Sequence, residues 1–109
     1  MNLSQQITIG NHLKKDGIVV QIDGTSIRDI EHAENVGNKH PYQPIDLNEN
    51  ILSRMGYVEK TGWDDMKIWL NEDKGIDLLV TLQGYEFLHV IIKYQHQLEN
   101  LEKVFSNDY

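Results

Sequence analysis

The chain contains no cysteine, which excludes disulfide staples and thiolate metal sites and fits a reducing compartment such as the cytoplasm. Proline is scarce: both residues fall in GNKHPYQP at 37–44, a stretch that reads as a connecting loop. Long apolar runs are missing as well. The longest, such as VII at 90–92, fall far short of the roughly 20 residues needed to span a membrane. The opening MNLSQQI lacks the basic and apolar regions of a signal peptide, so the expectation is a soluble, cytoplasmic protein. Basic residues are outnumbered, 10 against 17 acids, for a net charge of −7 and a pI of about 5.0. That balance opposes the counterion-releasing contacts of non-specific nucleic-acid binding. It suits plain solubility, and equally a basic partner.

What is present is enough for one compact unit: 109 residues, of which 39% are hydrophobic, with five tyrosines and two tryptophans. The expected organisation is a single α+β domain over 1–109, in which two small antiparallel β-meanders, forming one sheet or two, pack with two helices. The first β-unit is expected over 7–36. There IVVQI at 18–22 is a β-branched run, KKDG at 14–17 is a turn signal, and Asp23-Gly24 is a hairpin cue returning through TSIR at 25–28. A short helix is expected over 46–56, N-capped by Asn48 and ended by Gly56, with Ile51, Leu52 and Met55 buried. A second meander spans 66–92, with strands near 66–70, 76–82 and 85–91. Last comes an amphipathic helix over 93–105, whose Tyr94, Leu98, Leu101 and Phe105 recur at spacings of four, three and four and dock on sheet.

Catalytic chemistry finds no foothold. His12, His32, His40, His89 and His96 lack the spacings that place two imidazoles on one helical face, so no metal is expected. The carboxylate pairs Asp64-Asp65 and Glu72-Asp73 sit at expected turns. Neighbours on a strand point to opposite sides, so neither pair is arranged for acid–base work. The serines lack a nucleophile-elbow context, and no phosphate-cradling glycine motif occurs. The expectation is a protein that is not an enzyme and carries no cofactor. Exposed aromatics offer more, since tryptophan and tyrosine are enriched at binding hot spots. Trp63, Trp69, Tyr42 and Tyr57, with Asp64, Asp65, Glu72 and Asp73, form the partner-binding set. Trp69 reads first as core, whereas Trp63, beside Gly62 and Asp64, is open to either role. The alternative is a nucleic-acid face on the first β-unit made by Lys14, Lys15, Arg28 and Lys39.

The segment IKYQHQLENL at 92–101 resembles the closing IKYVHQLQNLYFAL of small uncharacterised proteins from Bacteroidetes genomes, phages and prophages. IGNHL at 9–13 and GIVVQI at 17–22 are similar to their opening RIGNWV…NGxxVQV, and PIDLNENILSRMGY at 44–57 to their PIxLTEEWLLKxGF block. Here Asn48 stands for the usual Thr, Ile51 for Trp, and Glu102-Lys103 for the aromatic pair. The resemblance implies a setting rather than an activity: a mobile-element accessory protein in a bacterial cytoplasm. The function expected is binding to a host protein or ribonucleoprotein, in its most concrete form anti-CRISPR-like inhibition of an RNA-targeting effector. The chain itself is expected to be a monomer or a weak homodimer.

Overall fold

The computed structural model describes residues 2–106. In chain order the elements are α1 (Leu3–Gln6), β1 (His12–Lys15), β2 (Ile18–Gln21), α2 (Gly24–Asn35), β3 (Tyr42–Gln43), α3 (Glu49–Arg54), β4 (Val58–Thr61), β5 (Lys67–Asn71), β6 (Ile76–Thr81), β7 (Gly84–Phe87), β8 (Val90–Ile92) and α4 (Gln95–Ser106), with a 3-10 turn at Trp63–Asp65. The class is α+β, with two antiparallel sheets. The chain divides into two compact units: residues up to 45 together with 94–100, and 46–93 together with those from 101 on.

In the first unit the sheet order is β2-β1-β3. Its hairpin is made by Asp16-Gly17, both at positive φ (52° and 81°), the conformation of a two-residue type I′ turn. The second Asp-Gly pair does something else. The expected return strand at 25–28 is instead the first turn of α2, and the Asp23 carboxylate caps it by accepting the Ser26 N–H at 2.8 Å. Aspartate suits both roles. Ile27 and Ile30, three residues apart, decide the outcome by giving one helical face to bury. Ile30 packs with Ile7, Leu13, Ile22 and Tyr42, flanked by Leu3, Val20 and Ile27.

A polar knot closes this unit. Asn100 of α4 donates to the Gln6 carbonyl at 2.9 Å, and its Oδ1 accepts from Thr8 Oγ1 and from Asn11 Nδ2, each at 2.9 Å. Asn11, fully buried, in turn accepts the Thr8 N–H at 2.8 Å. One residue earlier on α4, Glu99 meets the His12 ring and accepts the His12 N–H at 2.9 Å.

In the second unit, α3 starts as its sequence dictates: Asn48 Oδ1 accepts the Ile51 N–H at 2.9 Å. Gly56 follows the helix at φ 95°, a conformation that disfavours any residue with a Cβ. The sheet is a sequential antiparallel meander, β4-β5-β6-β7-β8. It has two strands more than expected, for two reasons. All four residues of β4 are exposed, so it carries no alternation to read. The strand expected over 85–91 is broken by a tight turn at Leu88-His89, with φ 49° and 69°. Neither residue belongs to the Asn/Gly chemistry that marks such turns. The buried side of the sheet holds Trp69, Ile76, Leu78, Phe87 and Ile92, and α3 adds Ile51 and Leu52. Phe105 of α4 sets its ring edge-on to Phe87 at 5.5 Å, an orientation favoured by the ring quadrupoles.

The C-terminal helix keeps Leu98 fully buried, as its spacing predicts, while Tyr94, Leu101 and Phe105 are half-buried. His96 and Glu102 are buried too, outside the apolar stripe. His96 stacks on Tyr94, with ring centroids 5.7 Å apart, and its Nδ1 has no hydrogen-bond partner. Burial holds its pKa below the ordinary 6.5, although the Glu99 charge acts the other way. A lowered histidine pKa stabilises the fold fully above the unfolded value, and that stability is lost as pH falls below it. The thermal midpoint should therefore drop between about pH 7.5 and about pH 5.5. His96→Phe, which keeps a ring on Tyr94 and cannot take a proton, should flatten that drop. An equal drop in both proteins would remove His96 as its source.

Candidate functional site

Alternation along strands sends successive side chains to opposite faces, and the strand register fixes which residues share each face. Lys60, Ile68, Leu79, Glu86 and Ile91 are direct cross-strand neighbours from β4 to β8, and Val58, Leu70 and Asp77 form the next row on the same side. None of these eight residues is buried, whereas Trp69 and Leu78, paired on the opposite side, are. The outer face of this sheet therefore carries five aliphatic side chains, of which Val58 is exposed and Ile68, Leu70, Leu79 and Ile91 are half-buried. Antiparallel sheets with one wet face ordinarily alternate apolar-in and polar-out. Here β6, IDLLVT, has the near-continuous apolar pattern of a strand covered on both sides.

Towards the β7–β8 turn this face holds a shallow depression of about 250 Å³, lined by Ile68, Asp77, Leu79, Glu86, Leu88 and His89. The Leu88-His89 turn forms part of its rim. A left-handed backbone costs a β-carbon residue about 1–2 kcal/mol, yet Leu88 holds it while standing 75% exposed. Strain of this kind is retained where the surroundings fix it, and it concentrates at functional sites.

The β4–β5 loop flanks the face. Trp63 is 86% exposed. Asp64 and Asp65 both take left-handed φ (55° and 59°), a region that aspartate tolerates. The loop is held by Gly62 N–H to the Met66 carbonyl at 2.7 Å and Met66 N–H to the Trp63 carbonyl at 3.1 Å. It lies close on the face: a Cβ at Gly62 would stand 2.6 Å from Ile68 Cδ1. At the same end of the sheet, the β6–β7 turn presents a fully exposed Leu82.

The partner-binding set from the sequence is thus divided. Trp63, Asp64 and Asp65 come together in one exposed loop. Trp69, Tyr42 and Tyr57 are buried, and Tyr57 gives its hydroxyl to Glu102 at 2.8 Å. Glu72 and Asp73 are exposed in the β5–β6 turn, where Glu72 pairs with Lys60 at 3.3 Å. The alternative basic set is spread over a strand, a helix and a loop. Lys14 and Lys15 are adjacent on β1 and so point to opposite faces. Lys15 lies over the Tyr42 ring at 5.4 Å. Arg28 is on α2, and Lys39 is in the loop that follows it.

Sequence reasoning missed Ile68, Leu70, Leu79 and Ile91 as surface, because apolar strand residues are ordinarily assigned to the core. The signal was in β5 and β6, where apolar residues occupy both parities. Among the described residues no cluster of histidine and carboxylate is placed to hold a metal, and no helix is long and apolar enough to cross a membrane. Compared with protein-family profiles, curated proteins and solved structures, the chain matches none.

Proposed function

We propose that this chain is a non-enzymatic binding protein that engages a protein partner, a host protein or the protein part of a ribonucleoprotein, through the outer face of its five-stranded sheet. One observation carries the reading: Val58, Ile68, Leu70, Leu79 and Ile91 lie on one face of a folded sheet with none of them fully buried, Val58 exposed and the other four half-buried. Contiguous apolar surface of this kind marks interaction sites. Covering each half-exposed aliphatic would add on the order of 1 kcal/mol. The exposed Trp63 beside the face supplies an aromatic anchor of the type that dominates interface energetics. The resemblance to phage and prophage proteins supports a mobile-element setting, with inhibition of an RNA-targeting CRISPR effector as the most concrete form.

The test is capture by the immobilised chain from a nuclease-treated Bacteroidetes lysate, in parallel with Leu79→Ser and Trp63→Ala. Both changes lie on exposed or half-exposed positions and spare the core. The expected result is a protein whose capture falls about tenfold or more with either variant. Capture that ignores both variants would reject the face. Co-expression with a panel of CRISPR effectors tests the narrower form: unchanged interference and no co-purifying effector would remove it.

A further inference from the structure

We propose that the occupant of this sheet face is a basic–apolar segment of the partner protein, with one arginine or lysine seated in the depression between Asp77 and Glu86. The inference rests on the docking reading above and specifies the chemistry of its partner. Glu86 stands directly opposite Leu79, and Asp77 is two residues before Leu79 on the same strand. The two residues are therefore diagonal neighbours on one face, with Cα atoms on the order of 7–8 Å apart. Among the described residues neither takes part in an ion pair, and Lys60, the basic residue of the same cross-strand row, is engaged by Glu72 at 3.3 Å.

That arrangement is selective. A wholly apolar segment covering the face would strip water from two like charges and leave both unpaired, which is strongly unfavourable. A segment that brings a cation between them removes that penalty and gains from the lowered local dielectric. The floor of the depression, Ile68 and Leu79, fits the aliphatic stem of a long basic side chain, while the charged head reaches the carboxylates. Arginine suits the position best, because its planar fork can address two carboxylates at once. The same two charges reject phosphate-rich surfaces, so a nucleic acid or an anionic membrane is disfavoured here.

The experiment pans a displayed random-peptide library on the whole chain, then measures the enriched peptides against wild type, Leu79→Ser, Glu86→Gln and Glu86→Lys. The expected peptides carry an arginine or lysine among apolar residues. They should bind Glu86→Lys about tenfold or more weakly than wild type, with Glu86→Gln between, and weaken as salt is raised. Peptides that are lost on Leu79→Ser but lack a basic residue and ignore Glu86→Lys would overturn the basic occupant while leaving the docking face in place. Peptides indifferent to Leu79→Ser as well would overturn both. Acidic peptides that gain affinity for Glu86→Lys would also sink the inference. Glu86 is a surface position on β7, so its variants are expected to keep the fold, and unchanged urea midpoints establish that.

Discussion

Asn100→Ala is expected to destabilise the protein by about 3 kcal/mol, a large part of the stability of a domain this size. Most of the effect comes from what the substitution leaves behind. Asn100 serves three partners at 2.9 Å: the Gln6 carbonyl, the Thr8 hydroxyl and the Asn11 amide. Thr8 is exposed and finds water. Asn11 is fully buried, so its side-chain N–H is stranded, and each stranded polar group costs about 1–3 kcal/mol. Urea unfolding checks the value, and a cycle with Asn11→Ala checks the cause. The double variant should be less destabilised than the sum of the two singles by about 1 kcal/mol or more. Simple additivity would show that the two amides act independently.

This knot also gives the terminal motif its physical meaning. The stretches IGNHL at 9–13 and IKYQHQLENL at 92–101 meet through Asn11 and Asn100. His96 and Leu98 of the same segment are fully buried, and Gln97 Oε1 accepts the Tyr94 N–H at 3.1 Å as the helix begins. The polar letters of the motif are fold determinants, each committed to a partner or to the interior. Function must be sought on other residues.

The parts legible in the sequence were those decided by near neighbours. Asn48 and Gly56 bracket α3 because capping depends on residues one turn away. Leu98 lies where its helical spacing places it. The unread parts depend on distant partners or on absent ones. Nothing near Asn100 indicates that it will bond Asn11, 89 positions earlier. Asp23-Gly24 and Asp16-Gly17 look alike, and what separates them is whether the residues that follow bury one helical face or pair as a strand. The outer sheet face failed for a further reason: an aliphatic residue reads as core, and only the strand register shows that Ile68 and Leu79 face away from it. Of the residues named from the sequence for partner binding, Trp63 and its two aspartates are exposed together, because a tryptophan in a Gly-Asp-Asp turn has little nearby to bury against.

Glu102→Ala is the second large effect, at about 2–4 kcal/mol. Its carboxylate is buried in the second unit, where one oxygen accepts from the Tyr57 hydroxyl at 2.8 Å and the other pairs with Lys74 Nζ at 3.0 Å. Lys74 is about one-third exposed, with a side-chain accessibility of 34%, so losing that pair alone is modest. Tyr57 is 2% exposed, so its hydroxyl would be left with no acceptor, and the truncated side chain would leave space beside it. Tyr57→Phe should cost less, about 1 kcal/mol, since Glu102 keeps Lys74 and no donor is stranded. The two variants also separate on the alkaline side. Burial first, then the hydrogen bond to Glu102 and its charge, raise the Tyr57 pKa above the ordinary 10.0. A raised acid pKa gives stability that is fully present below the unfolded value and is lost as pH rises past it. Wild type should therefore lose stability above pH 10.0 through this phenol, and Tyr57→Phe should lose less over the same range, read as urea midpoints. Parallel alkaline losses in the two proteins would mean that Tyr57 ionises as freely in the fold as in the unfolded chain.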